Sequence, residues 1–385
     1  MGRLLAALIG LSVLAGLQPS SAQDSGVAVV RLPAGAIQPQ VVADSSGFAH
    51  VVYFRGEAAA GDLFYARLDD TGAWSAPVRV NSQPASAVAA GNIRGARLAL
   101  GRNGQVHVTW NGSGQAAPRG PASATPMLYT RLNPARNAFE AQRNLLQHAV
   151  GLDGGGAIAA DTRGRVVVAW HAGGPQSTDE TTRRVWIAES ADDGAAFARE
   201  LPASPVETGA CGCCGMAGLI TRNGRVALLY RAARSLIHRD TYLLMSADTP
   251  ERFSATRLQE WNVGACPMSS FSLSEGGAGL LAAWETGGQV QFARIDPAAG
   301  PPSPAVQAPG PSTTRKHPVV VGNSRGELLF VWTEGMSWQR GGSVAWQRFD
   351  SSHQPVGGVE RRPGVPTWSL VAAYARPDGR FVVVY

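Results

Sequence analysis

Seven times along the chain a turn glycine is followed by alternating apolar residues and then, six positions on, by Trp or Tyr. The copies are "GFAHVVY" (47–53), "GQVHVTW" (104–110), "GRVVVAW" (164–170), "GRVALLY" (224–230), "AGLLAAW" (278–284), "GELLFVW" (326–332) and "GRFVVVY" (379–385). Only the fifth departs from the rule, with Ala278 standing between Gly277 and Gly279. Period-two alternation rich in Val, Leu and aromatics predicts strands. A helical solenoid, the rival for such repeats, would need apolar spacings of three and four. A second apolar stretch and a polar turn precede each glycine, as in "QVVADSSG", "RLALGRNG", "AIAADTRG" and "VVVGNSRG". Asp or Asn near the turn with Gly at its end is tight-hairpin chemistry. After each aromatic come a polar loop, a third strand such as "LFYARLDD" or "VQFARIDP", and a fourth stretch such as "WSAPVRV" or "FARELPA". Four antiparallel strands per unit of about 50 residues predict a propeller blade.

The expected fold class is thus an all-β propeller of four-stranded blades. Six units are complete, and a seventh hairpin, "SLVAAYARPDGRFVVVY", runs to residue 385. "VAVVRLPAG" (27–35) resembles the fourth strand "SAPVRVNSQP" (75–84) and is expected to pair with that hairpin. Such pairing closes the ring and removes its open sheet edges. Counting hairpins gives seven blades; a six-bladed ring is the alternative.

The first residues change the picture of where this fold works. "MGRLLAALIGLSVLAGLQPSSAQD" has an early Arg3, an apolar run from Leu4 to Leu17 and small residues ending at Ala22. This predicts a signal peptide over 1–22, cleaved before Gln23, and a propeller over 23–385 in the periplasm or outside the cell. The run is too short to span a bilayer, which takes about 20 apolar residues, and no later stretch approaches that length. Charged residues are only 16% of the chain, with 46 Gly and 25 Pro, as many short strands and turns require. The net charge of +6 comes from scattered arginines. A nucleic-acid partner would want a concentrated patch, so none is expected.

One third-strand turn, "SADDGAAF" (190–197), carries a family resemblance. Ser190, Asp192, Gly194 and Phe197 match the Ser-x-Asp-x-Gly-x-x-aromatic Asp-box of sialidase-like (BNR-repeat) propellers, with Ala196 in place of the usual Thr. "SADTPERF" (246–253) is a degenerate copy and "LDDTGAW" (68–74) a shortened one. The resemblance implies a structural role for these four residues, on the blade rim. It also implies what a sialidase would need: three arginines clamping a carboxylate, a Tyr nucleophile backed by Glu, and an Asp acid/base. The family's first arginine lies in a Phe/Tyr-Arg-Ile-Pro motif, and the nearest string here, "YFRGE" (53–57), lacks Ile-Pro. The Cys-x-Cys-Cys and Ala-Cys-Pro strings of this chain resemble those of a bacterial subset of the family.

In a propeller, the loops leading into each first strand and those between second and third strands share one mouth of the central channel. Residues so placed that could hold a glycan or other anionic ligand are Arg94, Arg97, Arg231, His238, Arg239, Lys316 and His317. Guanidinium forks suit carboxylates and sulfates. Asp153, Asp240 and Tyr242 are the candidates for catalysis, should the chain be a sialidase-type glycoside hydrolase. Recognition without turnover is the favoured function and hydrolysis the second. No cofactor is required by either.

"GACGCCGM" (209–216) and "GACPM" (264–268) precede the first strands of adjacent units. In an oxidising compartment their cysteines are expected to pair, as Cys211–Cys266 with Cys213–Cys214, or as Cys213–Cys266 with Cys211–Cys214. A third function, copper binding, comes from the same cluster with Met216 and Met268, because thiolates and thioethers favour Cu(I).

Overall fold

The computed structural model describes residues 26–175, 177, 179–247, 252–277, 279–296, 302–311 and 314–385. The expected signal peptide, Ala278 and the middle of the degenerate Asp-box lie outside these residues. Seven antiparallel units surround a central channel, each contributing its first strand to the wall. These inner strands are Ile37–Ala43, Arg97–Leu100, Ala157–Ala160, Ala217–Ile220, Phe271–Gly276, Arg315–Gly322 and Ala372–Ala375. Blades one to six follow the order first, second, third, fourth strand outward from the channel. In blade two, Ala138–Phe139 adds a further short pairing to the third strand. Among the described residues the only helices are three short 3₁₀ turns, and none is long and apolar enough to cross a membrane.

Each repeat segment forms a second strand. The repeat aromatics Tyr53, Trp110, Trp170, Tyr230, Trp284, Trp332 and Tyr385 are all buried, in the apolar clusters between neighbouring blades. The hairpins before them are built as the turn chemistry requires. Asp44 accepts the amides of Ser46 and Phe48, Asp161 those of Arg163 and Arg165, and Asn323 those of Arg325 and Glu327. The glycine that follows adopts φ between +73° and +94° in all six copies that have one, a region costly for residues with a Cβ.

Closure differs from expectation in one respect. Val27–Val30 does pair with the C-terminal hairpin, but beside Phe381–Val384 and parallel to it, in register Val27 with Phe381 through Val30 with Val384. It therefore fills the third-strand place of a three-stranded seventh blade, not a fourth-strand place. Alternation in "VAVV" marks a strand but carries no information on direction. No hairpin turn ties this segment to its neighbour, so packing alone sets its orientation.

The Asp-box is a bracket between blades. Asp192 accepts the Ala196 amide at 2.9 Å and the Ser190 hydroxyl at 2.7 Å, while Ser190 Oγ accepts the Gly194 amide at 2.9 Å. Phe197 stands edge-on to Tyr129 of blade two, with ring centroids 4.7 Å apart. Gly194 has φ +77°, and a Cβ there would fall 1.8 Å from the Tyr129 hydroxyl. Gly194→Ala is therefore expected to lower the melting temperature clearly more than Asp192→Ala, whose carboxylate is exposed. Neither should change ligand affinity. Scanning calorimetry of both variants checks this, and equal melting temperatures for the two would remove the bracket.

Candidate functional site

The loops leading into the inner strands meet over one end of the channel. At five of the seven lead-ins a residue other than glycine has positive φ: Gln38, Asn92, Met268, His317 and Trp368. Backbone held in this region persists only where surrounding contacts over-determine it. Those contacts are present. Gln38 Nε2 donates to the Ala89 carbonyl at 2.6 Å and the Trp368 carbonyl at 2.7 Å, and the Gln38 amide donates to Ser369 Oγ. Asn92 Nδ2 donates to the Ser369 carbonyl at 2.7 Å and lies 3.3 Å from His317 Nε2. A Cβ on Gly91 would touch the Met268 methyl at 3.0 Å and the Trp338 ring at 4.0 Å. The lead-ins to blades two and five and a loop of blade six thus converge. Trp338, 61% exposed, packs edge-on against Trp368 at 4.5 Å on this rim.

In blades two to six the position just after the repeat aromatic forms a second layer beneath these loops. It holds Asn111, His171, Arg231, Glu285 and Thr333, all buried. Asn111 donates to the Gly154 carbonyl, and Arg231 to Ser269 Oγ. Glu285 accepts from Lys316 Nζ at 3.0 Å and from the His317 amide at 3.1 Å, while Thr333 lies 3.0 Å from His317 Nδ1. Most of these bonds reach the lead-in of the next blade, so this layer sets the positions of the mouth loops. Burial raises the Glu285 carboxyl above its ordinary value, although Lys316 opposes this. Burial, helped by Lys316, takes His317 down to about 3, and burial with Arg183 takes His171 to about 3. Both imidazoles are neutral at pH 7.

The predicted ligand residues separate into two groups. Arg97 lines the channel, while Arg94, Asp153 and Arg239 belong to one chain of ion pairs around blades two to four. Arg94 donates to Asp153 at 2.5 Å, and Asp153 also accepts its neighbour's amide from Gly154. Arg239 forms a two-pronged pair with Glu180 at 2.9 and 3.1 Å. Arg183 lies between the two acids, 3.9 Å from Asp153 and 4.0 Å from Glu180. Burial would raise the Glu180 carboxyl, but the Arg239 fork, the Gly212 amide and Arg183 hold it below its ordinary range. Arg97 is half-buried in the channel wall; its Nε donates to the Gly156 carbonyl, and among the described residues it has no acidic partner. Burial lowers its guanidinium to about 10, still charged at neutral pH.

The second group is tied into the scaffold. Arg231 is wholly buried, with Trp261 and Phe271 rings over its guanidinium at 4.8 and 5.4 Å. Lys316 is bound to Glu285 and to the Pro267 and Met268 carbonyls. His238 meets Asn262 at 2.6 Å on the segment leaving blade four. Asp240 is buried, accepting the Trp261 amide and lying 3.5 Å from Arg257. Tyr242 lies within the third strand of blade four against Tyr230, away from any carboxylate hydrogen bond among the described residues. Glu180 and Arg183 escaped the sequence reading. They sit in "TDETTRR", the polar loop after Trp170, where the same placement rule would have found them.

The four cysteines, expected as two disulfides, are thiols in the structure. A turn closed by the Cys214 amide on the Cys211 carbonyl brings the Cys211 and Cys214 sulfurs to 2.8 Å, with Cys213 at 3.4 Å from Cys211. Exposed Cys266 interacts with Cys213. This order of proximity is that of the second pairing considered above, not the first.

No family model and no curated protein matches the sequence. Solved structures do match in fold. One is a protein of unknown function from Dyadobacter fermentans DSM 18053, with 14% identity and TM-score 0.54, covering 80% of this chain and 93% of that one. An ulvan lyase of polysaccharide lyase family PL25, bound to -[GlcA(1-4)Rha3S]-, matches at 13% identity and TM-score 0.51, covering 91% and 86%. Trypanosoma rangeli sialidase matches at 12% and 0.51, covering 80% of this chain and 54% of that one. The fold is that of the sialidase-like β-propellers.

Proposed function

We propose that this chain is an exported recognition propeller that binds an acidic glycan at the channel mouth without turning it over. Arg97 carries the reading. A half-buried guanidinium with no protein carboxylate beside it is costly unless an anion arrives from outside. Arg94 and Arg183, already near Asp153, would flank a carboxylate or sulfate placed there. The exposed Trp338 face offers an apolar platform for the C–H face of a sugar ring. Among neighbours of similar fold, the ulvan lyase's bound GlcA and Rha3S are acidic sugars of the kind these groups would fit.

A hydrolase is the second reading, favoured by Asp153 and Glu180 standing on either side of Arg183. Against the sialidase version, six of the seven tyrosines are buried and Tyr242 packs in a strand. No tyrosine hydroxyl is hydrogen-bonded to a glutamate among the described residues.

Titration calorimetry with uronate or sulfated oligosaccharides, and with neutral ones of equal length, tests the proposal. The acidic ligands should bind and the neutral ones should not. Arg97→Gln should weaken binding by about tenfold or more, the scale of one charge-assisted hydrogen bond. Equal affinity for neutral and acidic glycans would overturn recognition by charge. Release of new sugar ends, abolished by Asp153→Asn, would instead establish the hydrolase.

A further inference from the structure

The thiol cluster has a charge problem that glycan binding does not address. Arg231 is fully buried, yet no carboxylate lies within ion-pair distance of it among the described residues. Its hydrogen bonds go to Ser269 Oγ at 2.7 Å, to the Arg239 carbonyl, and to the Glu285 carbonyl at 2.5 Å. All of these acceptors are neutral. A buried cation needs a counter-charge, and bond strength alone does not replace it.

The candidates for that counter-charge are sulfurs. Arg231 interacts with the sulfurs of Cys214 and Cys211 as well as with the Glu285 and Asp240 carboxyls, and Arg239 with the sulfurs of Cys211 and Cys213. The polarity of the hydrogen bonds agrees. Arg231 Nε donates to Ser269 Oγ, which leaves the Ser269 hydroxyl to donate onward to Cys214 Sγ at 3.2 Å. Cys214 Sγ thus accepts a hydrogen bond beside the Arg231 side chain, which orients it as a ligand atom. A permanent Cys211–Cys214 disulfide would be neutral and would leave Arg231 buried without a partner.

We propose that Cys211, Cys213 and Cys214 form a binding site for one Cu(I) ion. Their three sulfurs lie within 4.8 Å of one another, and no His or carboxylate joins the group among the described residues. Zinc prefers four ligands in a tetrahedron, usually with paired Cys or His. A soft monovalent ion is content with sulfur alone and fewer ligands. Three thiolates with one Cu(I) would carry a net charge of about −2, which the buried Arg231 guanidinium offsets in part, Arg239 being shared with Glu180. The Cys211 and Cys214 sulfurs are buried, while Cys213 is half-exposed and gives an ion its way in. Cys266, exposed beside Cys213, stands outside the triad. The site is independent of the channel-mouth glycan reading and can stand or fall without it.

The test uses the full-length protein, reduced and held without oxygen, titrated with Cu(I) against a chromogenic chelator. One ion per chain is expected. Cys211→Ser, Cys213→Ser and Cys214→Ser should each lose this stoichiometric binding, and Cys266→Ser should keep it. Ser269→Ala, which removes the hydrogen bond to Cys214, should weaken affinity by about tenfold while the circular dichroism spectrum stays native. Tighter binding of Zn(II) than of Cu(I), or Cu(I) binding that survives all three serine variants, would overturn the assignment. So would peptide mapping that finds a Cys211–Cys214 disulfide, with no Cu(I) taken up after full reduction.

Discussion

Removing residues 26–32 is expected to abolish cooperative unfolding, or to lower the melting temperature by far more than any single surface change. These residues form the last-fitted strand of the ring. Val27 and Val29 pack into the cluster shared with blade six, and Ala28, Val30 and Leu32 into the one shared with blade one. Backbone bonds add to this: Phe381 donates to the Gly26 carbonyl, Tyr385 to Val30, and Leu32 to the Tyr385 carbonyl at 2.9 Å. Each half-buried aliphatic side chain contributes about 1 kcal/mol by its buried area, so the strand is worth on the order of 5 kcal/mol. That is comparable with the whole stability of a typical domain, about 5–15 kcal/mol. Losing it also uncovers the edge of Phe381–Val384, which invites aggregation. Calorimetry and light scattering of the truncated protein check this, and a synthetic 26–32 peptide added in trans should restore part of the transition. A truncated chain that melts at the parent temperature would show that closure adds little.

Acid should destabilise the protein well before its carboxylates titrate. His171 and His317 are held neutral with values near 3, whereas in the unfolded chain each takes up a proton near pH 6.5. Between those two pH values the unfolded state binds more protons than the folded state. Stability is therefore fully present above about pH 6.5 and falls as the pH drops toward 3. The slope approaches about 1.4 kcal/mol per pH unit for each histidine, or about 7 kcal/mol for both by pH 4. Carboxylates held below their ordinary range, such as Asp161 and Glu180, add their loss only at lower pH, as they are protonated through their folded values. Urea midpoints from pH 7 to pH 4 should show the upper limb. Replacing His171 and His317 together by Gln should flatten it. An unchanged slope in that double variant would transfer the acid sensitivity to His107 and His50, which burial also lowers, or to the carboxylates.

The repeat was legible because every copy solves the same problem. A glycine able to take positive φ, an alternating strand and an aromatic to fill the gap between blades recur wherever the ring needs them. The Val27–Val30 strand was legible as a strand but not as the parallel third member of its blade, since pairing direction is a property of the partner and not of the segment. The mouth was legible in part. Arg94, Arg97, Asp153 and Arg239 were reachable by position in the repeat; Arg94 meets Asp153, Arg239 pairs with Glu180, and Arg183 lies between the two acids. Asp240, Tyr242 and Arg231 share those positions but turn into the scaffold. A loop position alone does not say whether a charged side chain finds a buried partner. One signal was present and unused: in five of the seven copies the residue after the repeat aromatic is polar, namely Asn111, His171, Arg231, Glu285 and Thr333, in strands otherwise apolar at that depth.

The parallel pairing of Val27 with Phe381 has a temporal meaning as well as a spatial one. During synthesis Val27–Val30 waits, unpaired, until its partner Phe381–Val384 has been made. Blades one to six can each form as local meanders while the chain emerges, but no fragment short of residue 381 can buckle the ring. The fold thus reports on its own completion: a chain interrupted late keeps nearly all its blades and still exposes both raw edges to whatever protease or chaperone patrols for them.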